Sequence, residues 1–280
     1  MSLTPKSISV FTRRRIRNSI ITLALLALMA VVVYAQTQSL RHASFTTGYL
    51  LMGSIAFLAA FNLRKKITFL PAVGSAASWM QLHIYVGFAT FVMFGAHVAW
   101  HVPNGWFEGW LAILYFTVAL SGVYGLYATR IYPGRLTGIN DEVIFERIPA
   151  FRQRIATRAR TLVLQACETT DVLAKLYANR LMSYFEKPPR LVYLLHPNGR
   201  TRRQLVAEIE DVNRYLVESQ RGIGKQLSAM VKQRDDLDYH HAIQGRLKIW
   251  MFVHIGLTYS LIAVALLHIV MVHAFAGGGA

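Results

Sequence analysis

The chain has 280 residues, 54% of them hydrophobic, and a formal charge of +16 with only 14 acidic residues. Cys167 is the only cysteine, which excludes an internal disulfide, a zinc site built on thiolates and a cysteine-held iron–sulfur cluster within this chain. The basic excess lies in blocks beside long apolar runs, as membrane helices arrange it, so nucleic acid is not an expected partner.

Five runs approach or exceed the roughly 20 residues that cross a bilayer. The first covers about residues 20–35 and follows a basic leader with Lys6, Arg13, Arg14, Arg15 and Arg17. It is read as a retained anchor. Val33-Tyr34-Ala35 also has the small-residue pattern of a signal-peptidase site, and cleavage there would leave the orientation of the rest unchanged. The second run, about Thr47–Leu63, stops at Arg64, Lys65 and Lys66. The third is about Trp79–Trp100, the fourth about Trp110–Ala128 and the fifth about Ile249–Phe275. Tryptophans at 79, 100, 106, 110 and 250 stand near the ends of these runs, where amphipathic rings settle among headgroups. The leader, the Arg64–Lys66 cluster and the stretch after Arg130 are basic, while the other loops hold little beyond Arg41 and Glu108. The charge rule then puts the N-terminus in the cytoplasm and the C-terminus outside, in the inner membrane of a bacterium.

Between the fourth and fifth runs, residues 130–248 carry 13 of the 14 acidic and 21 of the 30 basic residues. Ile155, Ala159, Leu162, Ala166, Leu173 and Tyr177 recur at helical spacing, as do Leu205, Ile209, Val212, Leu216, Ile223, Leu227 and Met230. Pro188-Pro189 and His196-Pro197-Asn198-Gly199 mark a turn between the two stripes. This predicts a cytoplasmic helical hairpin whose second helix runs on into the fifth span. Its narrow stripes suit a contact with a neighbouring subunit rather than a nucleotide or flavin site. The expected organisation is therefore all-α: residues 1–129 with spans one to four, 130–248 as the insertion, and 249–280 with span five.

Four of the ten histidines form a pattern: His83 and His97 in the third span, His254 and His268 in the fifth. Within each pair the separation is fourteen residues, which returns to within roughly 40° of the starting face and advances about 21 Å. Each helix thus offers one imidazole in each half of the hydrocarbon core. Both spans run from cytoplasm to outside, so His83 is level with His254 and His97 with His268. Two bis-imidazole sites follow, and ligation from both sides suits electron transfer, since it leaves iron no open position. Without a Cys-x-x-Cys-His sequence, any haem is bound non-covalently.

These paired helices resemble the cytochrome b subunit of quinol–cytochrome c oxidoreductases and the transmembrane domain of ferric reductases and NADPH oxidases. The resemblance covers residues 79–128 and 249–275 and implies two haems b, with His83, His97, His254 and His268 as axial ligands of the iron. It further implies an electron-transfer subunit rather than a stand-alone enzyme, with a quinone and a periplasmic c-type cytochrome or larger redox complex as partners. The chain is shorter than a full cytochrome b of that kind and lacks a Gly-x-Gly-x-x-Gly signature, so a self-contained NADPH-fed reductase is not expected.

His101, one turn beyond His97, ranks below the four, and Arg64, Arg130, Arg246 and Lys248 are candidates for haem propionates or simply obey the charge rule. His273 is expected at the outer surface, and His42, His240 and His241 in solvent. Gly87, Gly95, Gly122, Gly125 and Gly256 suit close helix packing or space for a porphyrin. Two other classes compete: a proton or metal-ion transporter built on the histidines, and a membrane anchor whose hairpin docks a cytosolic partner.

Overall fold

The computed structural model describes residues 10–38, 43–61, 76–136, 143–167 and 171–276; Arg64, Lys65, Lys66, Arg41 and His42 fall outside them, as do the side chains of Arg13–Arg15. Every element among the described residues is helical, with no strand. In order these are α1 (Val10–Gln38), α2 (Ala43–Ala59), α3 (Ala76–His97), α4 (Trp106–Leu136), α5 (Ile148–Cys167), α6 (Asp171–Leu176), α7 (Met182–Glu186), α8 (Leu191–Leu195), α9 (Arg200–Arg214) and α10 (Glu218–Ala276). Among the described residues three stretches are long and apolar enough to cross a membrane: α3, α4 and the part of α10 from Arg221 to Phe275. The apolar stretch of α2, Ser44–Ala59, is shorter, and α1 contains the first apolar run.

The chain divides into two compact units, an apolar one (Met1–Leu126 with Met251–Ala280) and a polar one (Tyr127–Trp250). In the apolar unit Leu51, Ile55, Tyr115 and Leu261 form a buried cluster joined by Phe94, Leu111 and Val118. Tyr115 is 4% exposed, stacks on Phe94 at 4.4 Å, and donates its hydroxyl to Thr90 Oγ1 at 3.1 Å. That bond satisfies two polar groups that would otherwise be costly to bury. Thr90 lies seven residues from both His83 and His97, and Leu261 seven from both His254 and His268. The packed centre therefore sits midway between two tiers of histidine, roughly 10 Å along each helix from either tier.

The third span ends earlier than expected, at His97 rather than Trp100. Trp100 N–H donates to Gly95 O at 2.8 Å and Ala99 N–H to Ala96 O at 3.3 Å, while both residues adopt positive φ, 49° at Ala99 and 59° at Trp100. This is a left-handed helix stop, built without the usual glycine. It costs about 1–2 kcal/mol per residue. Trp100 folds back over Gly95, where an added Cβ would come within 2.6 Å of the indole. The fourth helix is longer than expected at both ends and includes Pro133 in its last turn.

The polar unit is more divided than a hairpin. Its core gathers Ile155, Ala159, Leu173, Tyr177, Leu205, Ile209, Leu216, Leu227 and Met230, all from the predicted stripes. Leu181 and Phe185 prolong the first stripe in steps of four residues. Such steps drift about 40° each in a regular helix. Between α6 and α7, Tyr177–Leu181 forms a wider π turn that offsets this drift and keeps Tyr177 and Leu181 inside. The second stripe crosses a break, because Tyr215, Leu216 and Val217 separate α9 from α10.

A buried ion cluster closes this unit. Arg234, 1% exposed, pairs with Asp238 at 2.5 Å and donates to Lys187 O at 2.9 Å; Arg152 reaches Asp238 at 3.4 Å. Tyr193 donates to Asp235 Oδ1 at 2.9 Å, and burial, reinforced by Asp235, pushes its hydroxyl well above the ordinary phenol range. His240 is 3% exposed and His241 is half-buried against Phe145, so neither is the solvated histidine its sequence position suggested. Burial holds the His241 imidazole below its ordinary value.

Candidate functional site

All four histidines of the pattern lie in the apolar unit, on α3 and α10. His97 and His268 face each other with ring centroids 6.4 Å apart and planes nearly perpendicular, 89°. His83 lies within electrostatic reach of His254. The structure thus brings His97 and His268 together, one of the two pairs that parallel helices require.

His97 is held from α2. Its Nδ1 lies 3.0 Å from Ser44 O and 3.4 Å from Thr47 Oγ1. A carbonyl only accepts, so Nδ1 carries the proton and Nε2 is the basic nitrogen. Gly48 makes the approach possible: a Cβ there would come within 2.8 Å of His97 Cε1 and 3.2 Å of Nδ1. On the other side, His268 stacks on Phe107 at 6.2 Å and 26°.

His254 is fixed in the same way from α4. Ser121 Oγ donates to Val118 O at 2.8 Å and therefore accepts from His254 Nδ1, 2.5 Å away. The Nε2 of His254 is again the unprotonated nitrogen. Beyond it, Gly122 would place a Cβ 3.7 Å from His254 Cε1. His83 packs against Phe61 at 5.1 Å, and its Nδ1 is buried without a hydrogen-bond partner. A buried imidazole nitrogen left this way is costly unless something else engages it.

A cavity of about 450 Å³ opens between His97 and His268, lined also by Gly48, Leu51, Ile55, Leu111, Leu261 and Ala265. Ligand sites typically occupy ~300–1,000 Å³ with mostly apolar walls and a few fixed polar groups. Two imidazoles binding one metal from opposite sides stand with centroids about 6 Å apart, given metal–nitrogen bonds of about 2 Å. On separation, on the tautomer of His97 and on the cavity between the rings, these residues fit a haem held by two histidines. Among the described residues no group of three His, Cys, Asp or Glu side chains is placed to hold a metal ion.

The secondary candidates divide. His101 is exposed and lines the same cavity, together with Asn104 and Glu108. His273 has both ring nitrogens engaged, Nδ1 with Ile269 O at 2.8 Å and Nε2 with Tyr49 Oη at 2.7 Å. Arg246 lies over the Tyr132 ring at 5.6 Å, and Lys248 pairs with Glu146 at 2.8 Å, so each has a partner within the polar unit. Arg130 is exposed. Gly87 and Gly256 would place a Cβ in open space, so neither serves close helix packing.

Ser44, Thr47, Gly48 and Ser121 are the residues that histidine spacing did not reveal. Small and hydroxyl-bearing residues near the ends of apolar runs were their only signal, and that signal is common in membrane helices. Gly48→Ala is expected to push the His97 ring aside and disturb the His97–His268 pair while leaving His83 and His254 intact. The check is a change in imidazole NMR signals confined to His97 and His268; unchanged signals contradict it.

No family model matches the sequence, and neither a curated protein nor a solved structure is detectably similar to it.

Proposed function

We propose that this chain is a dihaem b-type membrane cytochrome that passes electrons across the bilayer, with an inner site at His83 and His254 and an outer site at His97 and His268. The observation that carries the reading is the His97–His268 pair, ring centroids 6.4 Å apart on the wall of one cavity, with the His97 Nδ1 tied to Ser44 O. Bound haem b would supply a reversible one-electron carrier at each pair. The chain's own residues then have defined tasks. The four imidazoles hold the irons, and Ser44 and Ser121 set two of their tautomers. Tyr115, Thr90 and Leu261 close the space between tiers and exclude water there.

The proposal takes α1, α2, α3, α4 and the end of α10 as five spans, with the N-terminus cytoplasmic, the C-terminus periplasmic and the polar unit in the cytoplasm of a bacterium. It places a quinone or a periplasmic c-type cytochrome among the partners, as donor or acceptor. The test is transfer across a sealed membrane. Purified protein in liposomes, given an impermeant reductant outside, should reduce ferricyanide trapped inside, and His97→Ala should abolish this. A rate no greater than that of protein-free vesicles, from protein that retains both haems, overturns the reading.

A further inference from the structure

Three ties to one stretch of α10 build a fixed surface within the polar unit. Lys187 O accepts from Arg234 at 2.9 Å, and Tyr193 Oη donates to Asp235 Oδ1 at 2.9 Å. Arg202 reaches Asp235 at 3.8 Å and Asp236 at 3.1 Å. The entry to α8, α8 itself and the first turn of α9 therefore converge on residues 234–236. With Tyr193 held inwards, Leu191, Val192 and Leu195 stand 77%, 72% and 73% exposed, within one arc of about 100° on the helix. Pro188-Pro189 precede α8 and Pro197 follows it, which restricts the backbone on both sides. A surface ordered in this way loses little entropy when something binds to it.

The free charge on this surface has one sign. No acidic residue lies between Glu186 and Glu208. Lys187, Arg190, Arg200 and Arg203 are exposed and, among the described residues, in no ion pair. Elsewhere in the unit the exposed Arg180, Arg214 and Arg221 do find carboxylates, at Glu208, Asp211 and Glu218. Three solvated aliphatic side chains beside four unpaired cations are the complement of an apolar patch edged with carboxylates. A small anion would use the cations and leave the aliphatic side chains bare. Distance counts against lipid, since Asp235 stands about 21 Å of helix before the apolar run that begins at Ile249.

We infer that the α8 surface docks an acidic protein segment, whose apolar side chains cover Leu191, Val192 and Leu195 and whose carboxylates meet Lys187, Arg190, Arg200 and Arg203. The inference concerns the polar unit alone and stands whether or not the histidines hold haem. The full chain tests it, with Cys167→Ser and Val192→Cys, through the rate at which a maleimide modifies the new thiol relative to the same measurement on Asp211→Cys. Leu195→Cys repeats the measurement should the first variant misfold. In membranes of the native host the thiol should react about tenfold more slowly than in purified chain in nanodiscs containing phosphatidylglycerol. High salt, or reversal of the four cations to glutamate, should remove the difference. A short helical peptide of glutamate and leucine, added to the nanodiscs, should restore protection, and the same peptide with serine for leucine should not. Equal rates in host membranes and nanodiscs overturn the inference. So does a thiol already protected in the nanodiscs, which would assign the face to lipid or to a second copy of the chain. Protection by both peptides, or by neither, overturns it as well.

Discussion

Replacing either His97 or His268 with alanine is expected to remove or convert the same haem, leaving roughly half of the bis-histidine signal. His83→Ala and His254→Ala should share a different spectral and redox signature. The grouping follows from the 6.4 Å between the His97 and His268 ring centroids and from the equal fourteen-residue spacing, which leaves His83 to pair with His254. Optical and electron paramagnetic spectra of the four variants check it. Variants that group His97 with His254 would require antiparallel helices. If His101→Ala gave the outer signature while His97→Ala did not, the exposed histidine at the cavity mouth would be the ligand. Where alanine empties a site and the bundle fails, His→Met variants retain a possible ligand and preserve the comparison.

Asp238→Ala is expected to destabilise the polar unit by about 3–5 kcal/mol, since it leaves a buried cation without its counter-charge. Arg234 is 1% exposed and pairs with Asp238 at 2.5 Å, and Arg152 approaches the same carboxylate at 3.4 Å. Hydrogen exchange over α5–α9 in the full chain measures the loss, and protection unchanged from the parent would contradict the buried pair. The cluster also sets a pH dependence. Burial leaves the Asp238 carboxyl above its ordinary value despite Arg234 and Arg152, and the Asp235 carboxyl is raised by burial as well. A carboxyl raised in the folded state binds its proton more tightly there than in the unfolded chain. Its contribution to stability is fully present below the ordinary value and is lost as pH rises through the folded one. Asp238→Asn should therefore flatten this part of the stability curve. His241, held low by burial, acts oppositely, its contribution being lost as pH falls from 6.5 towards its folded value.

Residue spacing carried much of this architecture. The two fourteen-residue histidine intervals, read on helices of equal direction, paired His97 with His268, and their ring centroids stand 6.4 Å apart. The helical stripes from Ile155 to Tyr177 and from Leu205 to Met230 named most of the polar unit's core, because burial of one helix face leaves a period in the sequence. What spacing could not carry is whatever depends on a partner distant along the chain. Gly48 is a residue with no side chain until His97, 49 positions later, is laid over it. Arg234, Asp235 and Asp238 bear no mark of burial in the sequence, and only the folding of α5 and Lys187 against them makes them interior. Boundaries failed for a related reason. Trp100 suits a span end by its chemistry, but the left-handed turn at Ala99 and Trp100 stops the helix at His97.

The two haems b that we propose between these histidine pairs can be counted directly. Purified chain, dissolved in pyridine and alkali and reduced, reports haem type and amount in one spectrum, to be set against protein concentration from amino-acid analysis. Red protein with two haems b per chain is expected, falling to one in His97→Ala and in His268→Ala. Colourless protein, or haem content unaffected by replacing all four histidines, would contradict it.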